Sequence, residues 1–405
     1  MKSFEWNSEE TALGSATGRL RVGAAVVGVV GLAVAAGLGL TGDHDSRLHF
    51  FHAYLTAFAF WLSIALGGLF FVLMAHLTRA GWSASVRRPV EVLASNVWVL
   101  APFALVVLWG LPELYPWAAQ HADGTLDTLN EHKAPYLNPT FFTIRVAVYF
   151  VLWIAIAGFF LGRSRKQDGS GDPALTRSME ILSAPATIVF ALTLTFASFD
   201  LLMSLYPHWF STIFGVYYFS GATLGAVSFV ILLLMTLQSR GRLKRTVNAE
   251  HFHDLGKLQF AFVVFWAYIA FSQYMLIWYG NLPEETVWYK YRQTGQWTAV
   301  SLLLLFGHFV VPFLAMMSRH PKRRRISLAI ASVWLLLMHW VDMIWLVFPH
   351  VHAYKGRVPF GIPEIASFVG IGGVFVAVLL WRLGRQPLVA VRDPRLQEAL
   401  QFENA

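Results

Sequence analysis

Long apolar runs with few charges recur along the chain between short polar segments, covering approximately 20–41, 50–77, 91–114, 140–162, 179–205, 210–238, 258–281, 297–318, 326–348 and 363–381. Each is near the roughly 20 helical residues needed to cross about 30 Å of hydrocarbon. Backbone groups in lipid must be satisfied within their own segment, so these runs predict helices. The predicted fold class is an all-α polytopic membrane protein with ten transmembrane helices. The first run is longer than the 7–15-residue core of a signal peptide, and no small-residue cleavage pattern follows "GLGLTGDHD", so it is expected to stay as an anchor.

The pattern repeats on a larger scale. The fifth span ends "SFDLLMSLYPHWF" and the ninth "HWVDMIWLVFPHV"; in both, an Asp precedes a Pro-His pair by seven residues. The third and seventh spans leave through "LWGLPELYPW" and "IWYGNLPEETVWY". The second and sixth begin "FFHAY" and "FGVYYF" and end in "VLMAHLTRAG" and "LLMTLQSRG". The unit is therefore four helices, spans 2–5 against 6–9, with spans 1 and 10 outside it. An even number of helices gives the two copies the same orientation, related by an axis along the membrane normal. The expected division is 1–49 for a cytoplasmic amino terminus and first helix, and 50–208 and 209–350 for two four-helix bundles. Residues 351–405 then form the last helix and a cytoplasmic carboxy terminus. Gly67, Gly68, Gly221, Gly225 and the "GIGG" of span 10 are small enough for close helix contact. The external segments 115–139 and 281–296 look too short to fold as domains.

Charge orients the chain. Of the 31 Lys and Arg residues, one side of a ten-span protein receives only Arg47, Lys133, Arg145, Lys290, Arg292, Lys355 and Arg357. The positive-inside rule places both termini in the cytoplasm. The net charge of +8 is largely this topological signal. Nucleic-acid binding needs a basic groove on a soluble domain, and none is present. Charged residues make up 13% of the chain and hydrophobic residues 56%, against about 25% charged in soluble domains. Cysteine is absent, which excludes Cys-ligated iron–sulfur clusters, attached c-type haem and disulfides in this chain.

Polar groups at membrane depth are the candidate chemistry. Asp200 lies about 10 Å below Pro207 along a helix, and Asp342 equally below Pro349. His339, three residues before Asp342, shares its helical face. A central Asp costs roughly 2.5–3.5 kcal/mol on insertion, so both should face bundle interiors. They are either structural hydrogen-bond anchors or proton-exchanging carboxylates. In the second case Asp342 and His339 should titrate as one coupled unit. Further proton-path candidates are Ser272, Gln273 and Tyr274 in span 7 and His308 in span 8, four residues before Pro312. Thr193, Thr195 and Ser198 lead to Asp200, and His76 and Glu180 lie near the cytoplasmic ends. A haem between His308 and His339 is conceivable, but the repeat supplies no matching pair. A quinol site would need an aromatic pocket with a proton acceptor. Tyr217, Tyr218 and Gln273 are its candidate contacts.

The strings "SFDLLMSLYPHWFSTIFGVYYFSG", "FSQYMLIWYGNLPEETVWYKYR" and "HWVDMIWLVFP" resemble the F subunit of bacterial alternative complex III, within the NrfD-like (polysulfide-reductase membrane-subunit) family. The resemblance covers essentially the whole chain. It implies two four-helix bundles beside a larger sister subunit of the same fold, with iron–sulfur and multihaem c-type cytochrome subunits on the periplasmic side. It implies no catalytic residue, metal or redox cofactor in this chain. The sister subunit would oxidise quinol (menaquinol), and this chain would contribute a transmembrane proton route through Asp200, Asp342, His339 and their polar neighbours. Quinol binding by this chain, a passive anchor for periplasmic redox subunits, and a secondary transporter with two parallel repeats are the alternatives.

Overall fold

Ten helices long and apolar enough to cross a membrane are present among the described residues, 12–14 and 17–403, of this computed structural model, and no strand is. They are α1 (Gly18–Leu40), α2 (His44–Leu77), α3 (Arg87–Trp109), α4 (Pro139–Ser170), α5 (Pro173–Leu205), α6 (Phe214–Ser239), α7 (Ala249–Gly280), α8 (Gln296–Met316), α9 (Arg325–Val347) and α10 (Ile362–Leu383). The chain is an all-α, multi-pass membrane protein. Most of the amino-terminal segment placed in the cytoplasm above lies outside the described residues.

Several helices outrun the apolar stretches that predict them because capping, rather than hydropathy, sets their ends. Asn138 accepts the Phe141 N–H ahead of α4, whose first residue is Pro139, and α4 stops at Gly171, where φ is +67°. Asp172 then accepts the Ala174 N–H to start α5. Asn248 accepts the N–H groups of Glu250 and His251 to start α7 nine residues before its apolar run. Such side chains satisfy the donors that a helix leaves orphaned. At 32 residues, α4 and α7 are each about 48 Å long and extend beyond a hydrocarbon layer.

Helix α2 is the central column: 89% of its most apolar window is buried, against 22% for α1. It packs on α3 and α5, while α4 closes the ring between those two; α6, α7, α8 and α9 form a second closed ring. The rings meet where α2 touches α6 and α9, and α5 touches α6. Gly67 makes the central contact, since a Cβ there would stand 2.2 Å from the Ala222 carbonyl oxygen. Helix α10 lies on α1 and α2. Gly370 and Gly373, the first and last residues of the "GIGG" run, face α1, where added Cβ atoms would meet the backbones of Gly31 and Gly28. Gly221 and Gly225 have another use: added Cβ atoms there would strike the His339 ring at 2.9 and 3.0 Å.

Two features depart from the sequence reading. The segments 115–139 and 281–296 are helical and packed, with short helices Pro116–Asp123, Thr128–Lys133 and Pro283–Arg292 and with Tyr115, Trp117 and Trp288 buried. Helix α8 is not regular, widening to a π-helix over Leu304–Val310. Pro312 has no N–H to donate, and in i→i+5 register the carbonyl it leaves open is that of Gly307. The Trp334 indole N–H donates to that oxygen at 2.7 Å. The carboxy-terminal segment folds back under the bundles, burying Leu388, Val389, Leu396 and Ala399.

Candidate functional site

Asp342 is fully buried on α9. The Tyr217 hydroxyl of α6 donates to its Oδ1 at 2.5 Å, and the Trp266 indole of α7 donates to Oδ2 at 3.2 Å. No Lys or Arg forms an ion pair with it among the described residues. Two neutral donors leave a carboxyl able to hold or release a proton without breaking a salt bridge. The imidazole of His308, from the π segment, stacks on Trp266 with ring centroids 4.0 Å apart; both its nitrogens are buried and without partners.

His339 is not bonded to Asp342, contrary to the coupled pair expected from their spacing. Its ring turns out of the second ring of helices towards α2, where Nε2 lies 2.7 Å from Ser63 Oγ. Ser63 gives its single hydroxyl proton to the Phe60 carbonyl at 2.6 Å. The serine oxygen therefore accepts from His339 Nε2–H, and in the neutral ring Nδ1 keeps its lone pair. That Nδ1 is buried and unpartnered, 3.1 Å from where a Cβ of Gly221 would stand. Unsatisfied buried nitrogens mark places where water can complete a network. His308 thus lies against the indole that donates to Asp342, while His339 faces α2.

Asp200, the counterpart in the first ring, has the opposite environment. Arg145 of α4 holds it bidentately, Nε to Oδ2 at 2.8 Å and Nη2 to Oδ1 at 2.9 Å. The Tyr149 hydroxyl adds a donor at 2.7 Å. Arg145 also donates to the Tyr136 carbonyl and lies 3.8 Å from that ring's centroid. A carboxylate neutralised in this way anchors α4 to α5. Its neighbours look inward to the backbone: Ser198 donates to the Thr195 carbonyl and Thr193 to that of Val189, while the Thr195 side chain packs against Gly215.

The remaining candidates are scattered. His76 is buried against Phe160 with both nitrogens unpartnered, whereas Glu180 lies 3.3 Å from Arg79 and 3.5 Å from Arg395. Gln273 accepts from Ser211 and donates to Tyr289, which fixes the outer end of α7. Ser272 is half-buried, away from Asp342's donors. Tyr218 donates to the Ala59 carbonyl and acts as a strut between α6 and α2.

Beside Asp342 a cavity of about 540 Å³ lies between α6, α7, α8 and the helix Pro283–Arg292. Tyr217, Trp266, Tyr274, Tyr289, Arg292 and Trp345 form its inner wall. Phe271, Leu302 and Leu305, each about half exposed or more, form its rim on the outer surface of the helices. Arg292 is fully buried and donates to three backbone carbonyls, those of Trp345, Trp288 and Leu346, at 3.1, 3.0 and 2.9 Å. Burial lowers its pKa well below the ordinary arginine value, against the opposing pull of Tyr289, Tyr217 and Asp342. Of the quinol contacts expected, only Tyr217 lines this cavity; Tyr218 and Gln273 do not.

Arg145 and Arg292 were read only as topological charges, and Tyr149, Trp266 and Ser63 not at all. The signal for the arginines was their position. Arg145 stands inside the apolar run 140–162, and Arg292 ends a segment of seven aromatic or charged residues, "EETVWYKYR" without Thr286 and Val287. No protein-family model matches the chain, and no curated protein matches it.

Proposed function

We propose that this chain is an integral subunit of a membrane-bound quinol:electron-acceptor oxidoreductase of the NrfD-like type, and that its second bundle carries protons through Asp342. The observation that carries this reading is the asymmetry of the two acids. Asp200 is tied into an ion pair, while Asp342 is equally buried yet is hydrogen-bonded only by Tyr217 and Trp266, with the unpartnered His308 ring beside Trp266 and the Nδ1 of His339 unpartnered. An intramembrane acid held by neutral donors and outside any ion pair is expensive, and function is its usual reason. The two closed rings of helices agree with a parallel repeat of four-helix units, spans 2–5 and 6–9. Iron–sulfur and haem c centres would belong to partner subunits.

Asp342→Asn keeps size and hydrogen bonding but removes the titration. In the assembled, actively respiring complex it is expected to retain all subunits while proton transfer through this chain slows by about 100-fold or more. Unchanged proton movement per electron would leave the passive-anchor reading standing.

The cavity favours a second role, binding a quinol in this chain. Its rim is apolar and its inner wall holds Tyr217, which already donates to Asp342. A quinol hydroxyl there would have a route for its proton while its electrons left to a partner's centre.

The proposed setting is a bacterial cytoplasmic membrane with both termini inside. The chain has no cysteine, and Ser239 and Ser318 are exposed, so single cysteines introduced at these positions give a clean topology test. Both should react with an impermeant maleimide only from the cytoplasmic side. Labelling of either from outside contradicts the orientation.

A further inference from the structure

A second cavity, of about 370 Å³, lies at the opposite end of α9 from Asp342, where the end of α6, the start of α7 and the start of α9 converge. Its walls include Lys244, Arg323 and Arg325, with Phe252, Val247 and Ala249 supplying apolar surface. Arg323 is paired with Glu250. Lys244 and Arg325 are exposed and have no carboxylate partner among the described residues; Arg325 only leans over the Phe252 ring at 5.5 Å. Two unneutralised cations beside a paired one leave the cavity net positive.

One buried group narrows what would bind. Gln238, 5% exposed, also lines the cavity. Its Nε2 donates to the carbonyls of Leu243 and Val247 at 3.2 and 2.6 Å, which fixes the nitrogen and oxygen ends of the amide. Its Oε1 is buried and has no partner. Buried acceptors seldom stay unpaired. The cavity thus offers cations for an anion and one acceptor that needs an O–H or N–H donor. A bare phosphate answers the first demand; a phosphodiester carrying a hydroxyl answers both.

We propose that this cavity is a specific site for an anionic glycerophospholipid whose headgroup bears a free hydroxyl, as in phosphatidylglycerol. The phosphodiester sits among Lys244, Arg325 and Arg323, and the glycerol hydroxyl donates to Gln238 Oε1. A lipid source is favoured over a soluble phosphate because exposed apolar residues begin directly after Arg325. Ile326, Ile330, Val333 and Leu337 recur at helical spacing on α9 and offer a surface for acyl chains. Basic pockets between transmembrane helices on the cytoplasmic side suit such headgroups. The site is independent of the proton route, resting only on the orientation that puts the α6–α7 and α8–α9 connections at the inner interface.

The test uses the full-length chain in nanodiscs of phosphatidylcholine containing a small fraction of phosphatidylglycerol, followed by native mass spectrometry of retained lipid. Phosphatidylglycerol should be retained in preference to phosphatidylcholine. Phosphatidylmethanol, with the same charge but no hydroxyl, should be retained less well than phosphatidylglycerol. With roughly fivefold in affinity per basic residue, Lys244→Gln combined with Arg325→Gln should weaken retention about 30-fold. Lys166→Gln, which alters an exposed cation elsewhere, should leave it unchanged. Equal retention of phosphatidylglycerol and phosphatidylcholine by the unaltered protein overturns the site, and needs no variant to fold. So does a double variant that still retains the lipid. Inorganic phosphate that displaces the lipid at equal concentration overturns the lipid assignment, and phosphatidylmethanol binding as tightly as phosphatidylglycerol overturns the role of Gln238.

Discussion

Arg145→Ala is expected to lower the stability of the isolated chain by about 3–5 kcal/mol, because it leaves the fully buried Asp200 carboxylate without its counter-charge. Arg145 is 8% exposed and Asp200 is fully buried, so solvent screening is slight. Tyr149 can still donate to Oδ2, but one neutral donor does not balance a charge. Asp200→Asn leaves the arginine unpaired and should also destabilise. The double change Arg145→Leu with Asp200→Leu should recover most of the loss, since apolar replacement of a whole buried pair is often neutral or better. Denaturant titration in detergent, followed by tryptophan emission, measures all three. A double-variant loss equal to the sum of the two single losses would mean that the two residues act separately and not as a pair. The same comparison isolates Asp342, whose Asn variant removes no ion pair and should change stability far less than Asp200→Asn.

The second large effect is expected at the carboxy-terminal fold-back. Asp393 accepts from Arg87 Nη2 and is 3.6 Å from Arg395, while Arg87 also donates to Glu91 at 3.0 Å. Both Arg87 and Glu91 are buried, and Arg88 completes the cluster by donating to Glu91 and Asp168. Asp393→Asn should destabilise by about 3 kcal/mol at neutral pH, the lower end for a broken buried pair because Glu91 still faces Arg87. The effect carries a pH signature. Burial pushes the Asp393 carboxyl up, but the charge and hydrogen bonds of Arg87 outweigh it and hold the net value below the usual 3.8. A carboxylate depressed on folding contributes stability that is complete above its unfolded value and is lost as pH falls through the folded one. The difference between wild type and Asp393→Asn should therefore be full above about pH 5 and shrink below pH 4. A difference that stays constant from pH 7 to pH 3 would show that Asp393 contributes no titrating charge.

Hydropathy was enough to locate ten spans because lipid imposes one rule on every backbone group, whatever its neighbours are. The last residue of α4 and the first of α7 lie eight and nine residues beyond the apolar runs, since Gly171 and Asn248 set those ends and the helices continue through polar sequence that an apolar count discards. The break in α8 was half visible. Pro312 announces a lost donor, but only the approach of Trp334 from α9 shows which carbonyl is relieved and why the turn widens.

The repeated Asp…Pro-His motif by itself marked Asp200 and Asp342 as comparable acids, and composition by itself set the membrane class and excluded cysteine-bound cofactors. Their different environments were beyond its reach. Arg145 reaches Asp200 across 55 residues, and Tyr217 reaches Asp342 across 125. Period and charge are properties of neighbours along the chain, so they can say that an acid is buried but not what meets it. His339 shows the limit most plainly: three residues from Asp342, it shares that helical face, yet the glycines of α6 and the serine of α2 draw its ring to another partner. Which acid is neutralised by an arginine and which meets only neutral donors was decided only when separate helices packed, because a salt bridge or a hydrogen bond forms between atoms brought within about 3 Å.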